Sequence, residues 1–501
     1  MVTRREVLLH GAIGAGFIAT NLSGVAALAA GLPPKRVSLQ GLAWNDPIVS
    51  TYRDAVGIMK NMASSKKFSW TSLAMIHGTD PDNYHFCPHG DWYFLPWHRG
   101  YTAMYERIIR SLTKNNDFAM PFWDWTANPL MPSVFLDPKT PDGKPNPLFV
   151  SEPNWQRTWD PTEPMPDDIV GPDVLSSILG DHGYENFGTS RNPNQTNTDP
   201  SWVPAGGGTQ GTLEGTPHNL VHNNIGGWMP SASSPRDPLF FMHHSNIDRI
   251  WSLWNTQNAN STDPLWTGMK FTNNFLNIDG SYWSPQVSDL YVPEDLGYTY
   301  GYGPPKTAGS GLKSVSLGNK LSVLFARPGA SAAGLATVAV ASPGTASPAR
   351  PLEVAIQVPA AALAAVRDRP SLDSGSEMVN FTAAREQAAT GVRVLAFIRD
   401  IRLSETSTTM FRVFVDAEGV SAATPTSDPH YVGTFGFLRH SEHAGHDRTP
   451  SVAVDLTDAL QRLGEGASSR IKLQIVPVPA RKGKAAGTAT PGRIEVSFIT
   501  N

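Results

Sequence analysis

Histidines are concentrated in two parts of this sequence, with a spacing that suits metal binding. Nine of the 14 histidines lie between residues 77 and 244, and His182 stands alone between two sets. In the later set, His218 and His222 are four residues apart and would project from one face of a helix. Solvated helix faces also show this spacing, so the pair alone is weak support for a metal. The earlier set comprises His77, His85, His89 and His98, and the later set comprises His218, His222, His243 and His244.

The helical pattern around the later set favours buried ligands. In "DPLFFMHHSNIDRIW", Phe240, His244, Asp248 and Trp251 recur every three or four residues and so line one helical stripe. Burial alone explains the two aromatic residues, but a buried polar group without a partner costs free energy. Metal binding explains the histidine. We expect the aspartate to pair with Arg99 across the helices.

The donor types narrow the choice of metal. Neutral imidazoles without matching carboxylates or thiolates favour copper or zinc, whereas a di-iron bundle would contribute Glu and Glu-x-x-His. Cys87 is the one cysteine, which excludes an intrachain disulfide and a sulfur-rich zinc or iron–sulfur site. Three histidines from each set suggest two copper ions that face each other.

The chain divides into a helical part and a strand-rich part. Helical spacing recurs from about residue 44 to 255, while residues 137–211 are rich in Pro, Asn, Asp and Gly and predict ordered loops outside the core. Further on, alternation in "PLEVAIQVP", "IKLQIVPVP" and "RIEVSFIT" indicates half-buried strands. We predict an α + β multidomain protein: a helical-bundle domain over 40–303, a linker over 304–312 and a β-rich, sandwich-like domain over 313–501.

Composition and the N-terminus limit the partners and the location. A net charge of −4 over 501 residues gives no basic surface for nucleic acid, and no stretch approaches the ~20 apolar residues of a membrane span. Arg4 and Arg5 precede a weakly apolar stretch with small residues at Ala27 and Ala29. This order predicts a twin-arginine signal peptide over 1–29, and thus a periplasmic or secreted protein.

Two segments carry a family resemblance. "HGDWYFLPWHRGYTAMYE" and "DPLFFMHHSNIDRIW" resemble the two copper-binding signatures of tyrosinases, catechol oxidases and molluscan haemocyanins. The resemblance is strong over about residues 44–255. It leaves His243 as a packed or hydrogen-bonded neighbour. It implies that one copper ion is held by His77, His89 and His98, and the other by His218, His222 and His244.

The strand-rich part resembles the C-terminal shielding domain of plant polyphenol oxidases. "YTY" at residues 298–300 is similar to the tyrosine motif that closes the catalytic domain of the plant and fungal enzymes. The chain departs from the plant pattern in lacking the disulfide cysteines and in having a bacterial-type export signal. A shielding domain implies a latent protein in which apolar side chains cover the substrate entrance. The candidates for this plug are Phe435, Phe437 and Leu438.

The resemblance also implies roles beside the metal ligands. Cys87 in "FCPHG" would form a thioether bond to His89, although a small buried residue is the simpler interpretation. Glu214 and Asn219 would hold a water and help to deprotonate a phenol, whose pKa near 10 requires a base; capping or surface roles are the alternative. The wall of the substrate pocket is assigned to Phe240, one turn before His244, and to Ser231; a plain core role is the alternative for the phenylalanine.

The sequence therefore predicts a type-3 copper oxidoreductase. Its expected reaction is the oxidation of phenols and catechols by O2 to o-quinones, with O2 and small phenols as its partners. A haemocyanin-like oxygen carrier is the alternative. A zinc hydrolase is a third possibility, but the sequence shows no obvious group of carboxylates that would activate a water molecule. The natural phenol and the oligomeric state do not follow from the sequence.

Overall fold

The computed structural model describes residues 32–79, 83–181, 183–192, 206–303, 305, 335–367, 392–404, 408–438, 449–464, 470–481 and 483–499. The predicted signal peptide, most of the predicted linker and His182 lie outside these residues. Among the residues described, no helix combines the length and apolarity needed to cross a bilayer.

The first part of the chain is helical, with one large apolar core. The first helix starts where the Asp46 side chain accepts a hydrogen bond from the Ile48 N–H, and it buries Val49, Tyr52 and Val56. The described helices here are α1 (Pro47–Asn61), α2 (Trp70–Ala74), α3 (Phe94–Thr113), α4 (Asp167–Val170), α5 (Pro172–Gly180), α6 (Tyr184–Phe187), α7 (Asn219–Ile225), α8 (Leu239–Asn255) and α9 (Pro264–Thr267).

A buried ionic network joins α3 to α8. The Arg99 guanidinium donates to Asp248 Oδ1 over 2.5 Å, which confirms the predicted pair. Arg36 donates to the other carboxylate oxygen over 3.0 Å. The hydroxyls of Tyr298 and Tyr300 donate to that oxygen as well, over 2.6 and 2.9 Å. The tyrosine motif thus closes the helical part by binding one aspartate.

The second part of the chain is a β-sandwich, as predicted. Its core draws residues from two sheets, with strand orders β11-β10-β13-β7 and β3-β12-β8-β15-β6. Alternation in β7 is strict, with every second side chain buried. The strands of these sheets are β3 (Thr209–Gln210), β6 (Leu335–Ala341), β7 (Leu352–Gln357), β8 (Arg393–Arg399), β10 (Thr409–Val415), β11 (Tyr431–Gly436), β12 (Ser451–Asp455), β13 (Arg470–Pro479) and β15 (Arg493–Ile499).

Short elements complete the fold. The three two-stranded ladders and the two helices of the second part that the structure describes are β1 (Gly78–Thr79), β2 (Asn83–Tyr84), β4 (Phe275–Leu276), β5 (Tyr282–Trp283), β9 (Arg402–Leu403), β14 (Ala489–Thr490), α10 (Ala360–Arg367) and α11 (Thr457–Leu463).

The segment expected to be loops outside the core is in part core, so that prediction is wrong. It contains α4, α5, α6 and β3, and it buries Ile169, Ile178 and Phe187. The helices are too short to show a periodicity. The strand β3 pairs in parallel with β12, where Gln210 is in register with Val452. A strand of the first part therefore belongs to a sheet of the second.

Candidate metal centre

The earlier histidines form a compact triangle. His77 follows α2, His89 lies in the loop before α3, and His98 is on α3 itself. The centroids of the three rings are 5.5 to 5.7 Å apart, and none of the residues is more than 7% exposed. Three imidazoles arranged in this way can direct nitrogen atoms at one ion.

The later histidines form a second triangle. His218 ends a π-helical turn, Glu214–His218, that leads into α7, which carries His222. His244 comes from α8, and the three ring centroids are 4.7 to 5.4 Å apart. His222 Nε2 lies 3.2 Å from His244 Nε2. A π-helical turn is rare and is typical of functional sites, since it changes the direction of side chains within a helix.

The two triangles face each other. The rings of His98 and His244 are stacked, with centroids 4.3 Å apart and planes 11° apart, and His89 lies 5.5 Å from His218. Phe94 was not identified from the sequence, although its position four residues before His98 was a usable signal. Its ring lies 4.8 Å from that histidine and 4.5 Å from His218. The site is therefore dinuclear in its geometry.

Three of the rings are held from behind by backbone carbonyls. In each case the Nδ1–H donates to the carbonyl, which fixes the tautomer and points Nε2 the other way. The acceptors are Ala232 O for His77 at 2.6 Å, Phe94 O for His98 at 2.8 Å and Met229 O for His222 at 2.6 Å.

Burial keeps the histidines neutral, as metal ligands must be. It lowers the pKa of His77 to about 3 and that of His222 to about 4. The pKa values of His98, His218 and His244 also lie well below the ordinary range, first because of burial and then because of neighbouring histidines. Convergent neutral imidazoles without a carboxylate match the donor preference of copper.

Cys87 lies within the first cluster. Its Sγ is nearly equidistant from His89 Nδ1 and Nε2, at 3.6 and 3.7 Å, and 3.3 Å from His98 Nε2. Burial raises the pKa of this thiol, so the thiolate form is disfavoured. The sulfur therefore lies near the plane that bisects the two nitrogens of His89, and this plane contains Cε1.

Glu214 is fully buried beside the centre. It accepts a hydrogen bond from the Gly90 N–H over 2.8 Å and is bonded to the Thr189 hydroxyl. Burial raises the pKa of this carboxyl to about 8. Thr189 was not identified from the sequence, which carries no local signal for a contact across 25 residues.

Asn219 makes three polar contacts. Its Oδ1 accepts from His218 Nδ1 over 2.8 Å. Its Nδ2 donates to Gln210 Oε1 over 3.0 Å and to the carbonyl of Gly436 over 2.9 Å. The last two partners belong to β3 and β11, so this asparagine connects a histidine to both sheets of the sandwich.

The residues assigned to the pocket wall differ in their surroundings. The ring of Phe240 is 4.1 Å from that of His244 and 5.3 Å from that of His77, so it borders both triangles. The Ser231 hydroxyl donates to the Trp228 carbonyl within its own turn. His243, the expected neighbour, packs 4.7 Å from His222 and lies in the same cluster.

The structure narrows the predicted plug. Phe435 and Phe437 belong to the core of the sandwich, where both face Phe411 with centroids 5.3 and 6.4 Å away. Those two rings are therefore used inside the β-rich part. Gly436, between them, faces α7, since an added Cβ would lie 2.4 Å from Leu220 Cδ2. Leu438, which is buried, remains the candidate plug.

Comparison with known proteins accounts for both parts of the chain. Residues 67–257 match the family model of the common central domain of tyrosinase, and residues 377–494 match that of the chloroplastic polyphenol oxidase C-terminal domain. The chain belongs to the tyrosinase and polyphenol oxidase family. Members of this family are copper oxidoreductases with a dinuclear centre, and the two buried histidine clusters fit that cofactor.

Similar proteins include chloroplastic enzymes of plants. The chain is 30% identical to (+)-larreatricin hydroxylase, chloroplastic, of Larrea tridentata over 249 residues, covering 41% of this chain and 38% of that protein. It is 25% identical to a chloroplastic polyphenol oxidase of Vitis vinifera, covering 90% and 74% of the two chains. A solved latent aurone synthase (polyphenol oxidase) shares the fold, with a TM-score of 0.60 at 20% identity over 94% of this chain and 90% of that one.

Proposed function

We propose that this protein oxidises phenols and catechols by O2 to o-quinones, as a tyrosinase or catechol oxidase. The observation that carries the proposal is the face-to-face arrangement of two buried histidine triangles, with His98 stacked on His244. One ion is assigned to His77, His89 and His98, and the other to His218, His222 and His244. A bound copper pair supplies the redox chemistry with O2.

The protein's part in the reaction is to position the substrate and to accept its proton. A phenol has a pKa near 10 and binds a metal as phenolate, so a base must take the hydroxyl proton. We assign this role to the Glu214 carboxylate, with Asn219 beside it as the pair that holds a water. The raised pKa of this carboxyl supports its role as a proton acceptor. Two bound cations would lower that pKa again, towards neutral pH.

The Thr189 hydroxyl can form a hydrogen bond with Glu214 in both protonation states of the carboxyl. Its hydroxyl has one hydrogen but two neighbours, the Gly188 carbonyl at 2.6 Å and Glu214 Oε2. When Glu214 is protonated, it donates to the threonine oxygen and the threonine donates to the carbonyl. When Glu214 is ionised, the hydroxyl turns and donates to it instead.

Phe240 and Ser231 are proposed for the pocket wall, with the stronger support for the phenylalanine. Its ring borders both triangles and would meet an aromatic substrate edge to face. His243 is proposed as a packing neighbour. A thioether between Cys87 Sγ and His89 Cε1 would form with loss of the S–H and C–H hydrogens, and O2 would serve as the two-electron oxidant. It would fix the orientation of that ring.

We also propose a domain plan and a route of export. The catalytic domain is assigned to 40–303, the linker to 304–312 and a shielding domain to 313–501, and the apolar core of each part supports this division. The deep burial of the histidines supports a latent form in which the β-rich domain, with Leu438, covers the entrance.

A twin-arginine signal over 1–29 would direct the protein to the periplasm or outside the cell.

Copper loading followed by mixing with a catechol tests the proposal. We expect two copper ions per chain and the absorbance of an o-quinone, which increases when the shield is loosened by mild detergent. Reversible binding of O2 without quinone would favour an oxygen carrier. Quinone formation that is equally fast without copper, or with zinc in its place, would contradict the proposal.

A further inference from the structure

The two histidine triangles differ in how one ring is held. Three histidines donate to backbone carbonyls, whereas His218 Nδ1 faces a side chain, Oδ1 of Asn219. An amide presents an oxygen at one end and an NH2 group at the other. Which end faces the imidazole decides which ring nitrogen carries the hydrogen.

The partners of Asn219 Nδ2 decide the orientation of this amide. A backbone carbonyl can only accept a hydrogen bond, and Gly436 O lies 2.9 Å from Nδ2. Gln210 Oε1 accepts from the same nitrogen over 3.0 Å. With Nδ2 fixed between two acceptors, Oδ1 must face His218. The hydrogen is then on Nδ1, and the lone pair of Nε2 is available to a metal ion.

The reverse orientation would disable the ligand. An NH2 group facing Nδ1 would favour the tautomer that carries its hydrogen on Nε2, the nitrogen on the side of the other histidines. His218 Nε2 is buried and has no hydrogen-bond partner among the described residues. This orphaned atom is what a metal ligand requires, and a hydrogen placed on it would exclude the ion.

The support reaches into the β-rich domain. Gln210 is in β3, which pairs with β12 on one side and bridges to Thr189 on the other. The carbonyls of residues 434, 436 and 437 accept from Thr216, Asn219 and Asn223, which lie three and four residues apart on one helical face. The strand β11 and its extension therefore dock along the turn and helix that carry His218 and His222.

We infer that Gln210 and the Gly436 carbonyl are positioning groups that set the tautomer of His218 through Asn219. Because Gly436 lies in β11, the β-rich domain then contributes to the second metal site. Neither group touches the ion. The inference rests on the proposed copper site but not on the proposed catalysis. One consequence is that a detached β-rich domain uncovers the centre and at the same time weakens one of its two ions.

Copper affinity in the full-length protein tests this inference. The copper-loaded protein is titrated with a chromogenic Cu(I) chelator, and the two ions are followed separately. In Gln210→Ala we expect one ion to be bound about tenfold more weakly, the usual effect of losing support behind a ligating histidine, and the other to be unchanged. Gln210→Glu keeps an oxygen acceptor for Asn219 Nδ2 and should retain most of the affinity.

A second pair of variants covers the possibility that Gln210→Ala does not fold. Gly436→Ala should push β11 away from Leu220 and weaken the same ion. Gly433→Ala on the same strand is the matched control, because an added Cβ there meets nothing within 4 Å. Equal retention of both ions in Gln210→Ala or, if that variant does not fold, in Gly436→Ala would overturn the inference, as would equal weakening of both. Failure of the unaltered protein to bind two ions would overturn the proposed function as well.

Discussion

The two histidine triangles achieve similar geometry by different means. In the first, His77 and His98 donate to carbonyls of the helical part, so their support lies within one domain. In the second, His222 donates to a nearby carbonyl, but His218 depends on a side chain that is bound by both sheets of the sandwich. The first site is thus a property of the helical domain, whereas the second is shared between domains.

The largest expected effect comes from removing one ligand from either triangle. His98→Ala in the first and His222→Ala in the second should each bind one copper ion in place of two and lose essentially all oxidase activity, since the reaction needs both ions. Copper content and catechol turnover check this together. His243→Ala is the control and should keep both ions, with its main effect on stability. Substantial turnover in either ligand variant would remove the dinuclear assignment.

The residues of both triangles could be predicted from the sequence, but the support that His218 receives from both domains could not. His98, His244 and the Arg99–Asp248 pair lie in long helices with strong periodicity, so local pattern predicts that they come together. His77, Cys87 and His89 lie outside the helices, and their assignment follows from the family resemblance instead. Sequence cannot show that β3 leaves the helical part to join a sheet, because two residues carry no periodic signal. The direction of Phe435 and Phe437 depends on the register of β11 against β10, a long-range property.

The buried ionic network should stabilise the helical domain, and with it both sites. Asp248→Ala leaves Arg99 without its carboxylate in the core and leaves Arg36 with the carboxylate of Glu106 alone, and we expect a loss of about 3–5 kcal/mol in the free energy of unfolding. Asp142→Ala is the control, because its pair with Lys144 is exposed and solvent screens such pairs, so they contribute little to stability. Denaturant unfolding measures both. Similar losses in the two variants would show that the network is not what joins α3 to α8.

Glu214 begins the π-helical turn that carries His218 of the second triangle. Its replacement should affect monophenols more than catechols. Glu214→Gln keeps the shape and the hydrogen bonds but cannot take a proton, so we expect monophenol hydroxylation to fall about 100-fold, with a much smaller fall for catechols, which are easier to deprotonate. Steady-state rates on a matched monophenol and catechol check the ratio. Equal losses on both substrates would indicate a structural role.

The raised pKa of Glu214 also predicts how the stability of the metal-free protein depends on pH, and this effect is smaller. The folded state holds the proton up to about pH 8, whereas an ordinary value is 4.5, so between these values the folded state binds more protons than the unfolded state. Stability contributed by this group is therefore present below pH 4.5 and is lost as the pH rises to 8. Thermal unfolding of Glu214→Gln against the unaltered protein should show a gain at pH 8 that disappears near pH 5. A gain that is independent of pH would contradict this.

The central claim is that two triangles of three histidines each hold one copper ion, with one triangle on each side of the His98–His244 stack. Anomalous diffraction from copper-loaded crystals tests it most directly, because it locates each ion among its ligands. We expect two peaks, one surrounded by His77, His89 and His98 and the other by His218, His222 and His244, with Cys87 and His243 outside both ligand sets. A single peak, or a peak bound by Cys87 or His243, would contradict the account.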